Sequence, residues 1–579
     1  MRKLNRFFAF FITLVLAHIM FGQTALHYQK APKPIPEILD APPTPFVFTS
    51  PKADYLLVAD RLGNPPIADL AQPMLRLAGI RINPAINGRH HVPRLTGLHL
   101  IRIQDGKEQA IKLPVNAYIG NPEWSPDGQH FSFTNTTPTG IELWVGDTNS
   151  AAVHRISGIQ VNAILGGPIQ WMPDNHTLLV EAVSPNRGNP PADTRVPDGP
   201  IIQESDGKKA PAATYEDLLQ SAHDEDLFDY YATAQLTLVD IQSGKLSPLG
   251  KPAVFFRIDP SPDGTHILVA RIHRPYSYLL PFIDFPKEVE VWDRSGRMEF
   301  KLASLPLAEH VPIEGVLTGP RAYEWAATSP ATLVWAEALD GGDTRAKVPY
   351  HDHVLMLAAP FKAQPVELVK LEYRFAGGFG LGGGGQAIEW GENGMALLHD
   401  YDRNRRWTRT LMVNVNQPGA APKVVWERSI RDRYGDPGAP LTKRLANGKR
   451  VIRQNGNIIF LAGDGASPKG EFPFLDRYDL QSQKAERIFR SGEGSFETVI
   501  ALASDDGSRF ITRYESPADP PNYFLRTAGS TKKTALTRFP DPAPQLRGIT
   551  KQIVTYKRAD GVPLSFTLYL PANYKKGEP

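Results

Sequence analysis

The chain has 579 residues, of which 41% are hydrophobic and 22% charged, with 53 Pro, 48 Gly and a formal net charge of +3. This balance excludes a disordered or collagenous chain, and so many Pro and Gly residues demand many turns between short strands. Near-neutrality without a basic run interleaved with aromatics argues against nucleic acid as a partner, and the lack of cysteine excludes disulfides, thiolate nucleophiles, cysteine metal sites and a lipid-modified cysteine.

At the N-terminus, Arg2, Lys3 and Arg6 precede an apolar run from Phe7 to Phe21 that is broken by Thr13 and His18. Small or polar residues follow at Gly22, Gln23, Thr24 and Ala25. The pattern predicts a secretory signal peptide over residues 1–22, a mature chain starting near Gln23, and a periplasmic or secreted location. The competing reading is a membrane anchor, but about 15 apolar residues fall short of the roughly 20 that span a bilayer as a helix. No stable membrane span is expected after cleavage.

From residue 50 onward a turn recurs ahead of a strand. Trp124-Ser125-Pro126-Asp127-Gly128 leads into Phe131-Ser132-Phe133-Thr134, and Asp259-Pro260-Ser261-Pro262-Asp263-Gly264 leads into Ile267-Leu268-Val269-Ala270. Weaker copies are Ser50-Pro51-Lys52-Ala53 before Tyr55, Trp171-Met172-Pro173-Asp174-Asn175 before Leu178, and Ser504-Asp505-Asp506-Gly507 before Phe510. Trp390-Gly391-Glu392-Asn393-Gly394 and Ala446-Asn447-Gly448 diverge further. Pro presets φ in such a turn, Asp bonds its own backbone, Gly takes φ above zero, and the residues that follow read as a half-buried strand. A second strand downstream ends in a tight polar turn, as in Leu238-Val239-Asp240-Ile241-Gln242-Ser243-Gly244 and Tyr478-Asp479-Leu480-Gln481-Ser482-Gln483, which completes a four-stranded unit.

With a degenerate unit around Tyr323 to Gly341, these units number seven or eight at intervals of roughly 45 to 75 residues. The prediction is an all-β fold, a seven- or eight-bladed β-propeller over residues 23–545. A pair of β-sandwiches gives no reason for a turn and paired strand to repeat. One long insertion, between the strands near Val180 and Leu236, carries Leu218, Leu219, Leu227, Phe228, Tyr230 and Tyr231, which predict one or two short packed helices.

Past Phe539-Pro540-Asp541-Pro542 the pattern changes to two long strands around Ala559-Asp560-Gly561. Lys551 to Leu564 followed by Leu568-Tyr569-Leu570-Pro571-Ala572-Asn573-Tyr574 resembles the opening of the hydrolase domain in the prolyl oligopeptidase family. Four further segments look most like its glutamyl endopeptidase branch: Leu77-Ala78-Gly79-Ile80-Arg81-Ile82-Asn83-Pro84, Gly199-Pro200-Ile201-Ile202-Gln203-Glu204-Ser205, Trp335-Ala336-Glu337-Ala338-Leu339-Asp340-Gly341-Gly342-Asp343, and Glu515-Ser516-Pro517-Ala518-Asp519-Pro520-Pro521-Asn522-Tyr523-Phe524. The resemblance implies a propeller capping an α/β-hydrolase that works by a Ser, Asp and His triad, with Ser on a Gly-x-Ser-x-Gly elbow. Residues 546–579 then become the first antiparallel strands of a truncated α/β-hydrolase domain.

No such elbow is present, since Gly494-Ser495 and Gly529-Ser530 both lack a second Gly two residues after the Ser. No catalytic residue is assigned. The expectation is the substrate-gating part of an exported serine peptidase that cleaves peptides after Glu through an acyl-enzyme, inactive alone because its hydrolase partner in cis is missing. Alternatives are a non-enzymatic binding propeller of the cell envelope, or a dipeptidyl peptidase or aminopeptidase of the same family.

Preference for Glu implies arginines able to bind a carboxylate bidentately. Arg403, Arg405, Arg406, Arg409, Arg431 and Arg433 form the densest group, set against the plainer reading of salt-bridged surface. His351-Asp352-His353 puts two imidazoles on one strand face without an evident third ligand, and His90-His91 is weaker still. Gly382 to Gly385 lacks the Gly-Lys-Ser/Thr ending of a phosphate loop. Glu216, Asp217, Asp224 and Glu225 offer an acidic gate for a peptide amine or, more simply, solvate the insertion. No cofactor or metal is expected.

Overall fold

The computed structural model describes residues 30–193, 214–312, 314–377, 387–575 and 577. The signal peptide predicted over residues 1–22, the segment Gly199 to Ser205 and the glycine run Gly382 to Gly385 lie outside the described residues.

The recurring turn is built from its own side chains. Ser125 Oγ donates to Asp127 Oδ1 at 2.6 Å, the His130 N–H donates back to Ser125 Oγ at 3.0 Å, and Gly128 stands at φ +74°, a left-handed position open to Gly at no steric cost. Ser261 and Asp263 repeat the contact at 2.6 Å, as do Ser504 and Asp506 at 2.6 Å.

Each turn opens a four-stranded antiparallel unit. The first uses Phe46–Thr49, Tyr55–Arg61, Leu95–Arg102 and Glu108–Ala110, and the second Ile119–Trp124, His130–Thr137, Gly140–Asp147 and Val153–Arg155. The third begins with Ile169–Trp171, Thr177–Val183 and Thr233–Asp240, and the fourth ends with His266–Ile272, Lys287–Asp293 and Met298–Leu305. Leu246–Pro260 serves both, pairing with Thr233–Asp240 over one half and with His266–Ile272 over the other. The fifth unit is Arg321–Trp325, Thr332–Ala338, Asp352–Ala358 and Val366–Leu371. The sixth runs from Glu389–Trp390 through Met395–Asp402 and Trp407–Asn414 to Lys423–Ser429. The seventh is centred on Ile458–Gly463, Phe474–Asp479 and Lys484–Arg490, and the eighth on Phe496–Leu502, Arg509–Glu515, Asn522–Thr527 and Lys533–Ala535.

The second strands, read as half-buried, are buried on both faces. Adjacent residues point to opposite sides of a sheet, and both sides are covered. Leu57 packs with Phe131 and Phe133 of the second unit, whereas Leu56 packs with Ile511 and Tyr523 of the eighth. Leu178 joins Leu143 of the second unit and Leu179 joins Ile267 of the fourth. Leu268 meets Trp325 and Leu333, Val334 meets Trp390 and Leu398, Leu397 meets Ile459, and Phe460 meets Phe510. Every unit thus buries apolar side chains against the next, and the eighth against the first.

The copy at Ala446-Asn447-Gly448 is not a turn between unit strands. Thr442–Arg444 and Arg450–Ile452 pair only with each other, while Ala439–Pro440 and Gln454–Asn455 pair with Ile458–Gly463 on either side of this excursion. The excursion carries its turn to three other units. Arg444 Nη1 donates to Trp124 O at 2.8 Å, Asn447 Nδ2 to Ala327 O at 3.1 Å, and Lys449 Nζ to Asp259 Oδ1 at 2.5 Å.

The insertion forms the helix Ala222–Ala232, started by Ser221, whose hydroxyl accepts the Asp224 N–H. Its Phe228 and Tyr231 pack with Leu219, Ile80 and Ile82, Tyr276 and Phe285, in an apolar cluster that also takes in Val254 and Ile272 of the strands beneath. At the C-terminus Thr550–Lys557 and Pro563–Leu570 pair as the expected hairpin. Ile553, Tyr556, Phe566 and Tyr569 on it are about half exposed.

Because strand direction alternates within each unit, the Ser-Asp turns fall at one end of the units. The loops between second and third strands, and the connections between units, fall at the other, here the connection end. The approach of residues 30–45 to the first unit and the departure after Ala535 also lie there.

Candidate functional site

A cavity of about 1160 Å³ opens at the connection end of the fourth to sixth units. Its walls come from residues 314–317 and 320–323, which enter the fifth unit, the loop 344–349, the connection 372–377, and the turn at 401–404 and 406. Phe256, Ile283, Leu305, Val316 and Phe375 supply apolar surface. Eight cationic side chains line it against three acidic ones, Glu314, Glu372 and Asp402.

The lining is held from behind by buried carboxylates. Asp352, fully buried, accepts from Arg321, from Arg374 Nη1 at 2.5 Å and from the Phe375 N–H at 2.6 Å. Asp340 accepts from Arg374, from the Gly342 N–H at 2.9 Å and pairs with His351 Nδ1 at 2.6 Å. Burial by itself would raise the Asp340 carboxyl, but the hydrogen bonds from Arg374 and His351 outweigh it and hold the group below the usual carboxylate range. Burial pulls the Arg321 guanidinium below its ordinary value despite Asp352. Its Nη1 is buried without a hydrogen-bond partner, as is Arg374 Nε.

Two more cations enter from the fourth unit. Arg257 Nη2 donates to Asp259 Oδ2 at 3.0 Å and its guanidinium lies 5.8 Å from the Tyr323 ring centre. Lys287, 5% exposed, donates through Nζ to Ile283 O at 2.5 Å and Phe285 O at 3.0 Å, and burial brings its ammonium down to about 8. Beneath them Glu324 accepts from Trp390 Nε1 at 2.8 Å and the Ala387 N–H at 3.1 Å. Burial pushes that carboxyl up to about 7, against the pull of Arg257.

The six arginines singled out in the sequence divide. Arg403, set against Glu314, and Arg406 line the cavity. Arg405 turns to Tyr373 Oη at 2.9 Å and over the Trp407 ring at 5.2 Å. Arg409 is bound to buried Asp400 by two hydrogen bonds, Nε at 3.0 Å and Nη2 at 2.5 Å, and to Glu372 at 2.8 Å. Arg433 pairs with Glu471 at 2.5 Å. Arg431 is exposed, and both it and Arg433 lie outside the cavity lining.

Arg257, Lys287, Arg321, Arg345, Lys347 and Arg374 were missed, since they are scattered along the sequence in no motif. The one signal they share is a place near a strand end or loop at the connection end.

The remaining candidates are engaged locally. His351 faces Asp340 while His353 Nδ1 lies 3.0 Å from Glu367, so the two imidazoles serve different carboxylates. Among the described residues no group of three or more His, Cys, Asp or Glu converges as a metal site. His90 Nε2 lies 3.2 Å from Gln72 O. Asp217 and Glu216 pair with Arg81 at 2.7 and 3.3 Å, Asp224 accepts the Gln220 N–H at 2.8 Å, and Glu225 pairs with Arg274 at 3.0 Å. Ser495 Oγ donates to Gly492 O at 3.1 Å and the Ser530 N–H to Thr527 O at 3.1 Å, both contacts within turns. Among the described residues no helix is long and apolar enough to cross a membrane.

No family model matches the chain. It is 38% identical over 580 residues to "Probable glutamyl endopeptidase, chloroplastic" of Oryza sativa subsp. japonica, covering 94% of this chain and 60% of that protein. To the protein of the same name in Arabidopsis thaliana it is 37% identical over 580 residues, covering 94% and 59%. The chain thus spans about three fifths of the length of these relatives. Among solved structures, an acylaminoacyl peptidase in complex with a chloromethyl ketone is 12% identical with a TM-score of 0.40, over 92% of this chain and 59% of that one. Dipeptidyl peptidase 4 of Porphyromonas gingivalis is 9% identical with a TM-score of 0.47, over 93% and 66%. Both superpositions are too loose to define a shared site. Identity sustained along nearly the whole chain makes it a homologue of these proteins over the three fifths of their length that it spans, in keeping with the glutamyl endopeptidase branch that its segments resemble.

Proposed function

We propose that residues 23–545 form a closed eight-bladed β-propeller that gates substrate for an exported serine peptidase, and that residues 546–579 begin its α/β-hydrolase domain. The peptidase hydrolyses peptides after Glu through an acyl-enzyme whose Ser, Asp and His belong to the part of the relatives that this chain does not span. The observation that carries this reading is the basic cavity at the connection end, the end from which residues 30–45 and the hairpin after Ala535 also depart. A hydrolase continuing from that hairpin would face the cavity.

Ring closure is supported by the contact of Leu56 and Val58 with Ile511 and Tyr523. In a ring, the excursion around Asn447 would sit across the axis at the turn end, leaving the connection end as the route for substrate. Folded proteins would be kept out and flexible peptides admitted.

The test is hydrolysis of blocked peptides carrying Glu, Asp, Pro or Ala before the scissile bond, by this chain and by one extended over the remaining length of the relatives. Cleavage after Glu by the extended form alone is the expected result. Without hydrolysis by either form, the peptidase reading falls and a binding propeller replaces it. Release of the mature chain into a periplasmic fraction, with an N-terminus near Gln23, tests export.

A further inference from the structure

We propose that the excursion around Asn447 is a clasp, which through Arg444 keeps the ring shut at the seam between the eighth unit and the first. The proposal rests on the ring closure read above and adds which contact holds that ring against opening.

The seam is held differently from the other junctions. Elsewhere the neighbouring units follow one another in sequence, so a connecting segment ties them, whereas the first and eighth are not consecutive. Each of the other junctions is also crossed by a hydrogen bond or a shared strand. The Asp127 N–H, for example, donates to Asn175 Oδ1 at 2.9 Å between the second and third units, and Arg453 Nη1 donates to Asp505 Oδ1 at 2.7 Å between the seventh and eighth. At the seam, Leu56 and Val58 meet Ile511 and Tyr523 by apolar contact. Among the described residues no hydrogen bond or ion pair joins these two units. Apolar contact is non-directional and supplies no link of its own, so the seam is where the ring separates with the fewest bonds to break.

Arg444 bridges that place from outside. It belongs to the seventh unit and donates through Nη1 to Trp124 O of the second at 2.8 Å, across 320 positions of sequence. By the short way round a ring, the units between them are the eighth and the first, so this bond straddles the seam. Gly448 of the same turn lies so close to the second unit that a Cβ there would stand 3.1 Å from Pro126 Cγ, and its φ is +84°. Burial, together with Arg450, pulls the Arg444 guanidinium below its ordinary value against the attraction of Glu123. A charged donor held away from water loses more with its acceptor than a neutral one does. Asn447, three residues on, donates instead to Ala327 O of the fifth unit, on the side where the sixth unit already connects the two. One turn thus carries a bond that straddles the seam and a bond that does not.

The chain has no cysteine, so a single buried thiol can report the opening of a chosen junction. Val58→Cys places one at the seam, where Val58 is 3% exposed, and Val334→Cys places one between the fifth and sixth units, where Val334 is fully buried. A maleimide labels each thiol when its junction opens. Adding Arg444→Ala should speed labelling at position 58 by about tenfold and at position 334 by no more than about twofold, while Asn447→Ala should leave position 58 within about twofold. Arg444→Lys keeps a cation beside Glu123 but loses the guanidinium's reach to Trp124 O, and it should give the same ranking if the alanine variant does not fold. An unchanged rate at position 58, or an equal rise at both positions, overturns the proposal. Failure of ring closure looks different: with Arg444 in place, the thiol at position 58 already reacts as fast as an exposed one.

Discussion

Lys449 of the seventh unit donates to Asp259 of the fourth at 2.5 Å, across 190 positions of sequence. Burial alone would raise the Asp259 carboxyl, but Lys449 and Arg257 together hold it below its ordinary value. Lys449→Met leaves a buried carboxylate with one cation instead of two. The expected loss is about 2–3 kcal/mol of unfolding free energy, read from urea or thermal unfolding at pH 7. A neutral effect would mean that the excursion carries no weight in holding the units together.

Asp352 ties two cavity arginines to the fifth unit. Asp352→Asn keeps the shape but removes the charge facing Arg321 and Arg374, both largely buried. Destabilisation of about 3–5 kcal/mol is expected, far beyond that of Asp105→Asn at an exposed, solvent-screened ion pair.

Arg409 and Arg433 separate structure from surface among the sequence candidates. Arg409→Ala strands the fully buried Asp400 and should cost about 3 kcal/mol. Arg433→Ala removes an exposed pair and should change stability by less than about 1 kcal/mol. Thermal melts of the two variants side by side settle the ranking.

Glu324 predicts a pH dependence of definite sign. Its folded carboxyl titrates at about 7 against an ordinary value of 4.5. The folded state therefore holds a proton that the unfolded chain has lost, and stability from this group is full below pH 4.5 and falls as pH rises towards 7. Glu324→Gln removes the titration. The stability of the natural chain relative to this variant should fall by about 2–3 kcal/mol between pH 4.5 and pH 8. A difference that stays constant over that range would place the carboxyl's titration elsewhere.

Ser221 starts the insertion helix by accepting the Asp224 N–H at 3.2 Å. Ser221→Ala should destabilise by about 1 kcal/mol and raise amide exchange in residues 222–232 before it affects the units.

Much of the fold was legible because the signals are local. A Ser-Pro-Asp-Gly turn satisfies itself within five residues, so Ser125 to His130 and Ser261 to His266 announce strands whatever surrounds them. Leu219, Phe228 and Tyr231 marked the packed insertion in the same way, and Ala559-Asp560-Gly561 the last hairpin.

What tertiary structure alone decided is how those pieces meet. Leu56 and Leu57 are neighbours in sequence that serve opposite units, because adjacent strand residues face opposite sides and both sides here are covered by sheet. The Ala446-Asn447-Gly448 copy reads like its relatives, yet it leaves its sheet and reaches Trp124, Asp259 and Ala327. Arg403 and Arg406 differ from Arg409 only through partners folded against them, since Asp400 neutralises one and nothing among the described residues neutralises Arg406. Turn chemistry is written within a few residues, whereas the charge left over in a cavity depends on which carboxylates the fold brings to each cation.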